Sequence, residues 1–131
     1  MQPRAGEVTG VAGKRILFFD DRPEFMHQPV LRLRLEGFEV EEAGTPDEAR
    51  AAFRQHPYDL MILDAELPGS DGWKVLQEIR SDPDFGQTKV IVLMAAKGET
   101  GMLVLVPVDA ELRRPFSMAQ LLETVHKVLA S

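Results

Sequence analysis

A chain of 131 residues is long enough for one domain with a substantial core, and 44% hydrophobic and 27% charged residues are ordinary for a globular fold. A net charge of −6 argues against direct nucleic-acid binding, which needs a basic footprint, and the absence of cysteine excludes a disulfide framework, a thiol nucleophile and a cysteine-based zinc site. No stretch approaches the ~20 apolar residues of a membrane span. Met1 to Gly13 lacks the apolar core of a signal peptide and reads as a flexible tail (1–13) before a single domain at 14–131, with a cytoplasmic setting expected.

After the tail, strand-like and helix-like segments alternate. Arg15 to Phe19 reads as a buried strand that stops at Asp20-Asp21. Pro23 to Glu36 reads as a helix, with Pro23 suited to its first turn and Gly37 just past its end. Pro29, inside that helix, is expected to bend it or delay its regular start. Phe38 to Glu42 is a short second strand. Thr45-Pro46-Asp47-Glu48 is a capping box with proline at the first helical position, opening a helix to about Gln55 whose inner face is Ala49, Ala52 and Phe53.

Tyr58 to Leu63 is the third strand, stopping at Asp64, and Leu67-Pro68-Gly69 turns the chain beyond it. Trp73, Leu76 and Ile79 recur at helical spacing on a third helix ending near Ser81-Asp82-Pro83. Lys89 to Met94 is a continuous β-branched fourth strand, and Glu111 to Arg113 a weak fifth. Ser117-x-x-Gln120 caps a last helix with Leu121, Leu122, Val125, Val128 and Leu129 facing inward. Between Ala96 and Asp109, Gly98, Gly101 and Pro107 bracket Met102 to Val106, a run without a helical stripe. It predicts a short, distorted or missing fourth helix across 98–108.

Five strands alternating with helices predict a parallel α/β sheet covered on both faces. In such sheets ligands bind outside the carboxyl ends of the strands, where strand order reverses. Asp20, Asp21 and Asp64 all stand at such ends. Three converging carboxylates repel one another unless a divalent cation sits among them, so the cluster is a candidate site for a hard metal and for phosphoryl chemistry. His27, His56 and His126 are scattered over different segments without ligand spacing and read as surface residues. Trp73, Met61 and Met118 read as core.

The order and spacing of these pieces resemble the receiver domain of two-component response regulators, from about Lys14 to Leu129. Asp20-Asp21 followed by Pro23 looks like the family's acidic pair. Tyr58 to Asp64 with the following Leu67-Pro68-Gly69-Ser70-Asp71-Gly72 looks like its phosphoacceptor strand and turn. Arg114-Pro115-Phe116 stands in place of its Lys-Pro-Phe, where the peptide after the basic residue is usually cis. The resemblance implies a flavodoxin-like doubly wound sheet of order 2-1-3-4-5 and a signalling module rather than an enzyme. It implies Asp64 as phosphoacceptor, Mg²⁺ held by Asp20, Asp21, Asp64 and the backbone carbonyl of Glu66, and a histidine kinase or phosphotransfer protein as donor.

Three positions depart from the family pattern. The hydroxyl residue expected at the end of the fourth strand falls on Met94, or on Ala95 if the register slips by one, and neither side chain can donate that bond. The lysine is replaced by Arg114, a planar fork where a compact ammonium is usual. The aromatic that couples phosphorylation to the output face is replaced by Glu111, whose charge resists burial. The resemblance is therefore to a degenerate, pseudo-receiver-like variant, monomeric or weakly dimeric. One alternative is an interaction domain that binds a protein effector without phosphorylation. A remote one is an aspartate-nucleophile phosphatase or phosphotransferase, which needs Asp-x-Asp after the first strand, whereas Asp20 is followed by Asp21 and Arg22.

Overall fold

The computed structural model describes residues 13–20, 22–64, 71–94 and 107–130. The strands are β1 (Arg15–Phe19), β2 (Glu39–Ala43), β3 (Leu60–Asp64), β4 (Lys89–Met94) and β5 (Ala110–Arg113). The helices are α1 (Pro23–Leu35), α2 (Pro46–Gln55), α3 (Asp71–Ser81) and, last, α4 (Met118–Leu129). All four strand pairings are parallel and the sheet order is β2-β1-β3-β4-β5. The order reverses between β1 and β3, as the doubly wound expectation requires.

The apolar runs are continuous because both faces of the central strands are covered. Side chains alternate across the sheet, so each run feeds two cores. Ile16, Phe18, Leu60, Ile62, Ile91 and Leu93 pack with α1 and α4, through Met26, Val30, Leu33, Leu121 and Val125. Leu17, Phe19, Met61, Leu63, Val90 and Val92 pack with α2 and α3, through Ala49, Phe53, Leu76 and Ile79. Trp73 and Met61 are buried in the second layer, and Met118 packs against the first.

Local chemistry sets the element ends. Gly37 adopts φ 101°, and the Gly37 and Phe38 N–H groups donate to the Arg34 and Leu33 carbonyls at 3.1 and 3.2 Å. This double closure of the α1 carboxyl end, with Phe38 packed near Leu33, explains why β2 starts at Glu39 rather than Phe38. At the far end β2 extends to Ala43, which pairs with Phe19. α1 begins at Pro23 and continues through the buried Pro29, so the expected delay does not occur. Thr45 caps α2 through Glu48 N–H at 3.1 Å, and Ser117 and Gln120 form a reciprocal capping box on α4 at 3.1 and 2.8 Å. The helix expected to be irregular between β4 and β5 falls largely on 95–106, outside the described residues.

One arginine ties α3 to the far side of the sheet. Arg80 donates to the carbonyls of Pro107 at 2.9 Å, Gly86 at 3.1 Å and Thr88 at 2.6 Å, and to Asp109 Oδ2 at 2.9 Å. Asp109 Oδ2 also accepts the Val90 N–H at 2.7 Å, so the same carboxylate fixes the approach to β5 against β4.

Candidate functional site

β1 and β3 are neighbours, with Phe19 opposite Leu63, so the next step in register sets Asp20 beside Asp64. Both share the parity of Phe18 and Ile62, which face the α1/α4 layer. The Asp20 N–H donates to the Ala43 carbonyl at 3.0 Å, which fixes the backbone one residue beyond β1. Both aspartates are fully buried. A buried carboxylate is costly unless it is paired, and two arginines supply the pairing.

Arg22 stands immediately before α1, in extended backbone. Its backbone N–H donates to Asp20 Oδ1 at 2.9 Å, its Nε lies 3.5 Å from the same oxygen, and its Nη2 donates to Asp64 Oδ2. On its other side the guanidinium carbon lies 4.5 Å from the Phe25 ring centroid. Arg114 approaches from the end of β5 and donates from Nη2 to the same Asp64 Oδ2 at 2.9 Å. The Arg114 N–H donates to the Met94 carbonyl at 2.9 Å, the Arg114-Pro115 peptide is cis, and the guanidinium carbon is 5.9 Å from the Phe116 ring centroid. The Asp64 carboxylate therefore meets two guanidinium groups, one from each flank of the strand ends.

Asp20 is less fully satisfied. Its Oδ2 is buried with no hydrogen-bond partner among the described residues. Burial, then the neighbouring Asp64 carboxyl, push Asp20 from 3.8 up to about 7, against the opposing pull of the Arg22 backbone N–H. An orphaned carboxylate oxygen beside a second buried carboxylate fits a hard cation, which takes one or two carboxylates and keeps several waters. No cluster of three or more metal-ligating side chains occurs among the described residues. Asp21 and Glu66, assigned as ligands by the family resemblance, lie outside them, as does Ala95.

The structure thus brings Asp20, Asp64 and Arg114 together. Met94 is buried in the α2/α3 layer at the end of β4. Glu111 is exposed on β5, where inward positions belong to Ala110 and Leu112. Arg22 was not singled out by sequence reasoning. Its signal was a cation directly after two strand-end acids and directly before an N1 proline, a place that faces the strand ends. Two histidines are more enclosed than expected: His56 pairs with Glu41 at 3.0 Å and His126 packs on Phe38 at a centroid distance of 5.6 Å. His27 is exposed, as expected.

A model of the response regulator receiver domain matches residues 16–126. The chain belongs to the receiver domain family. Relatives of this receiver domain include the DNA-binding response regulator MtrA of Mycolicibacterium smegmatis, 33% identical over 115 residues, which cover 86% of this chain and 49% of MtrA. Another is the phosphate regulon transcriptional regulatory protein PhoB of Pseudomonas aeruginosa, 29% identical over 122 residues, covering 91% of this chain and 53% of PhoB. The chain spans about half the length of these curated relatives. Among solved structures, the receiver domain of a Pseudomonas aeruginosa sensor histidine kinase superposes with a TM-score of 0.79 at 25% identity, covering 92% of this chain and 100% of that one. That structure is described with a magnesium ion coordinated in its active-site cleft. The receiver domain is a module of two-component signalling, and receiver domains are generally signalling modules rather than enzymes. Among the described residues no helix is long and apolar enough to cross a membrane.

Proposed function

We propose that this receiver domain, spanning 14–131, accepts a phosphoryl group on Asp64, with Mg²⁺ held by Asp20, Asp21, Asp64 and the backbone carbonyl of Glu66. The observation that carries the reading is the buried Asp20–Asp64 pair at the strand ends with Asp20 Oδ2 unsatisfied. The magnesium-bearing histidine-kinase receiver is a relative of the same fold in which such a cleft takes that ion. When bound, the cation supplies charge neutralisation for phosphoryl transfer.

The remaining chemistry falls to the chain's own side chains. An Asp64 carboxylate oxygen attacks phosphorus in line. The bond from phosphorus to the donor's leaving atom breaks, the leaving group takes the electron pair, and Asp64 becomes an acyl phosphate. The donor is a histidine kinase, a phosphotransfer protein or a small acyl phosphate. The added phosphoryl oxygens raise the negative charge at the site, and Arg114, already directed at Asp64, is placed to meet it.

The readout differs from the usual one. Met94 has no hydroxyl to bond the phosphoryl group, and the charged Glu111 remains at the surface where an aromatic would turn inward. The domain works in the cytoplasm as a monomer or weak dimer and makes no direct contact with nucleic acid. The test is incubation with Mg²⁺ and a small acyl phosphate, followed by intact-protein mass measurement. A phosphoryl adduct is expected in the wild type and none in Asp64→Asn. No adduct at saturating donor would overturn the reading and leave a protein-interaction domain that works without phosphate.

A further inference from the structure

We infer that Arg22 is a built-in cation that holds the place of the divalent metal between Asp20 and Asp64 and has to swing out before Mg²⁺ enters. This rests on the reading of the Asp20–Asp64 pocket as the Mg²⁺ site. Arg22 contacts both carboxylates, Asp20 through Oδ1 and Asp64 through Oδ2. Asp20 and Asp64 are the described side chains that would hold Mg²⁺ in the proposed site, and Arg22 already sets a positive charge on both. Arg114 reaches Asp64 Oδ2 at 2.9 Å from the opposite flank of the strand ends.

Two features hold Arg22 in the bridging position. Its own backbone N–H is anchored on Asp20 Oδ1 at 2.9 Å, which leaves a short tether between the anchored main chain and the guanidinium. The Phe25 ring, one α-helical turn along and 50% exposed, covers the outer face of the guanidinium at 4.5 Å. The metal-free pocket is thereby charge-compensated. Mg²⁺ then has to displace an ion pair in addition to shedding its own water.

The consequence is a raised threshold for metal. When only a fraction of molecules is competent to bind, apparent affinity falls by that fraction. An Arg22 that is swung out in roughly 10% of molecules weakens Mg²⁺ binding about 10-fold. Cellular Mg²⁺ would then set how much of the domain is ready to take a phosphoryl group, and Arg22 sets where that threshold lies.

The decisive experiment is calorimetric titration with MgCl₂ of the wild type, Arg22→Gln, Phe25→Ala and Asp20→Asn. Arg22→Gln keeps the backbone N–H on Asp20 and removes the guanidinium, with its charge and its contacts to Asp64 and Phe25. Mg²⁺ is expected to bind Arg22→Gln about 10-fold more tightly than wild type, and Phe25→Ala to shift in the same direction by a smaller factor. Equal affinity in wild type and Arg22→Gln overturns the inference and leaves the metal site standing. Weaker binding in Arg22→Gln also overturns it, because Arg22 would then support the metal. No binding in any protein, with Asp20→Asn indistinguishable from wild type, overturns the pocket reading itself. Should Arg22→Gln fold poorly, the wild type suffices: the Arg22 Nε–H resonance is expected to move as Mg²⁺ is added and return with chelator. A stationary resonance at saturating Mg²⁺ overturns the displacement.

Discussion

Replacing Arg80 with alanine tests whether one partly enclosed guanidinium ties α3 to the β4 and β5 approaches. The side chain is 18% exposed and reaches four acceptors: three carbonyls, on Pro107, Gly86 and Thr88, and the Asp109 carboxylate. Charge-assisted hydrogen bonds contribute roughly 1.5–3 kcal/mol each. A simple sum overshoots, because alanine admits water to acceptors near the surface. Asp109 also keeps the Val90 N–H at 2.7 Å and a 4.0 Å pairing with Lys89. The net loss expected for Arg80→Ala is about 2–4 kcal/mol. For a domain of this size that corresponds to a fall in Tm on the order of 10 °C. Arg80→Lys keeps the charge but not the planar fork, and should recover less than half of the loss. Urea unfolding of the three proteins measures the differences directly. An Arg80→Ala protein within about 0.5 kcal/mol of wild type would refute the assignment of Arg80 as a tie.

Two further outcomes concern charge and capping. Asp20 is held up to about 7 when folded, against 3.8 for an ordinary aspartate, so the folded state binds its proton more tightly than the unfolded chain. The metal-free protein should therefore lose stability as pH rises from about 4 through about 7, by an amount on the order of a few kcal/mol. In chelator, urea midpoints of Asp20→Asn should match wild type near pH 4 and exceed it above about pH 8, and parallel curves would contradict this. Ser117→Ala removes one half of the α4 capping box and should cost about 1 kcal/mol by the same unfolding assay, with no change in Mg²⁺ affinity.

The parts of the fold legible in the sequence are those where burial on both faces leaves a continuous apolar run. β1 and β4 fall on the residues expected, Arg15–Phe19 and Lys89–Met94, because neither strand has a solvent face to interrupt it. β5 is harder to read: it lies at an edge and alternates half-buried and exposed positions over four residues. The limits of β3 shift because Tyr58 and Asp59 prepare the strand without belonging to it. The Tyr58 hydroxyl donates to Glu41 at 2.7 Å, while Asp59 bonds to Arg15 through its N–H at 2.9 Å and accepts from Lys89 at 3.1 Å.

The site was legible in the same uneven way. Asp20 and Asp64 announce themselves as acids that end apolar strands. Arg114 follows a weak strand and was reached only through the Arg-Pro-Phe resemblance. Arg22 escaped because pattern reading treats a charge before a helix as surface, whereas Asp20 and the start of α1 turn it inward toward Asp64.

The two strands that form the open borders of the sheet, β2 and β5, are also its most charged. β2 presents Glu39, Glu41 and Glu42, and β5 presents Glu111 and Arg113. A neighbouring chain that tried to lengthen the sheet by pairing at the β2 border would bring its own charges against a row of carboxylates, which is how natural sheets discourage unwanted extension. The β2 border thus discourages edge pairing by a domain whose interior strands are among the most apolar segments of its sequence.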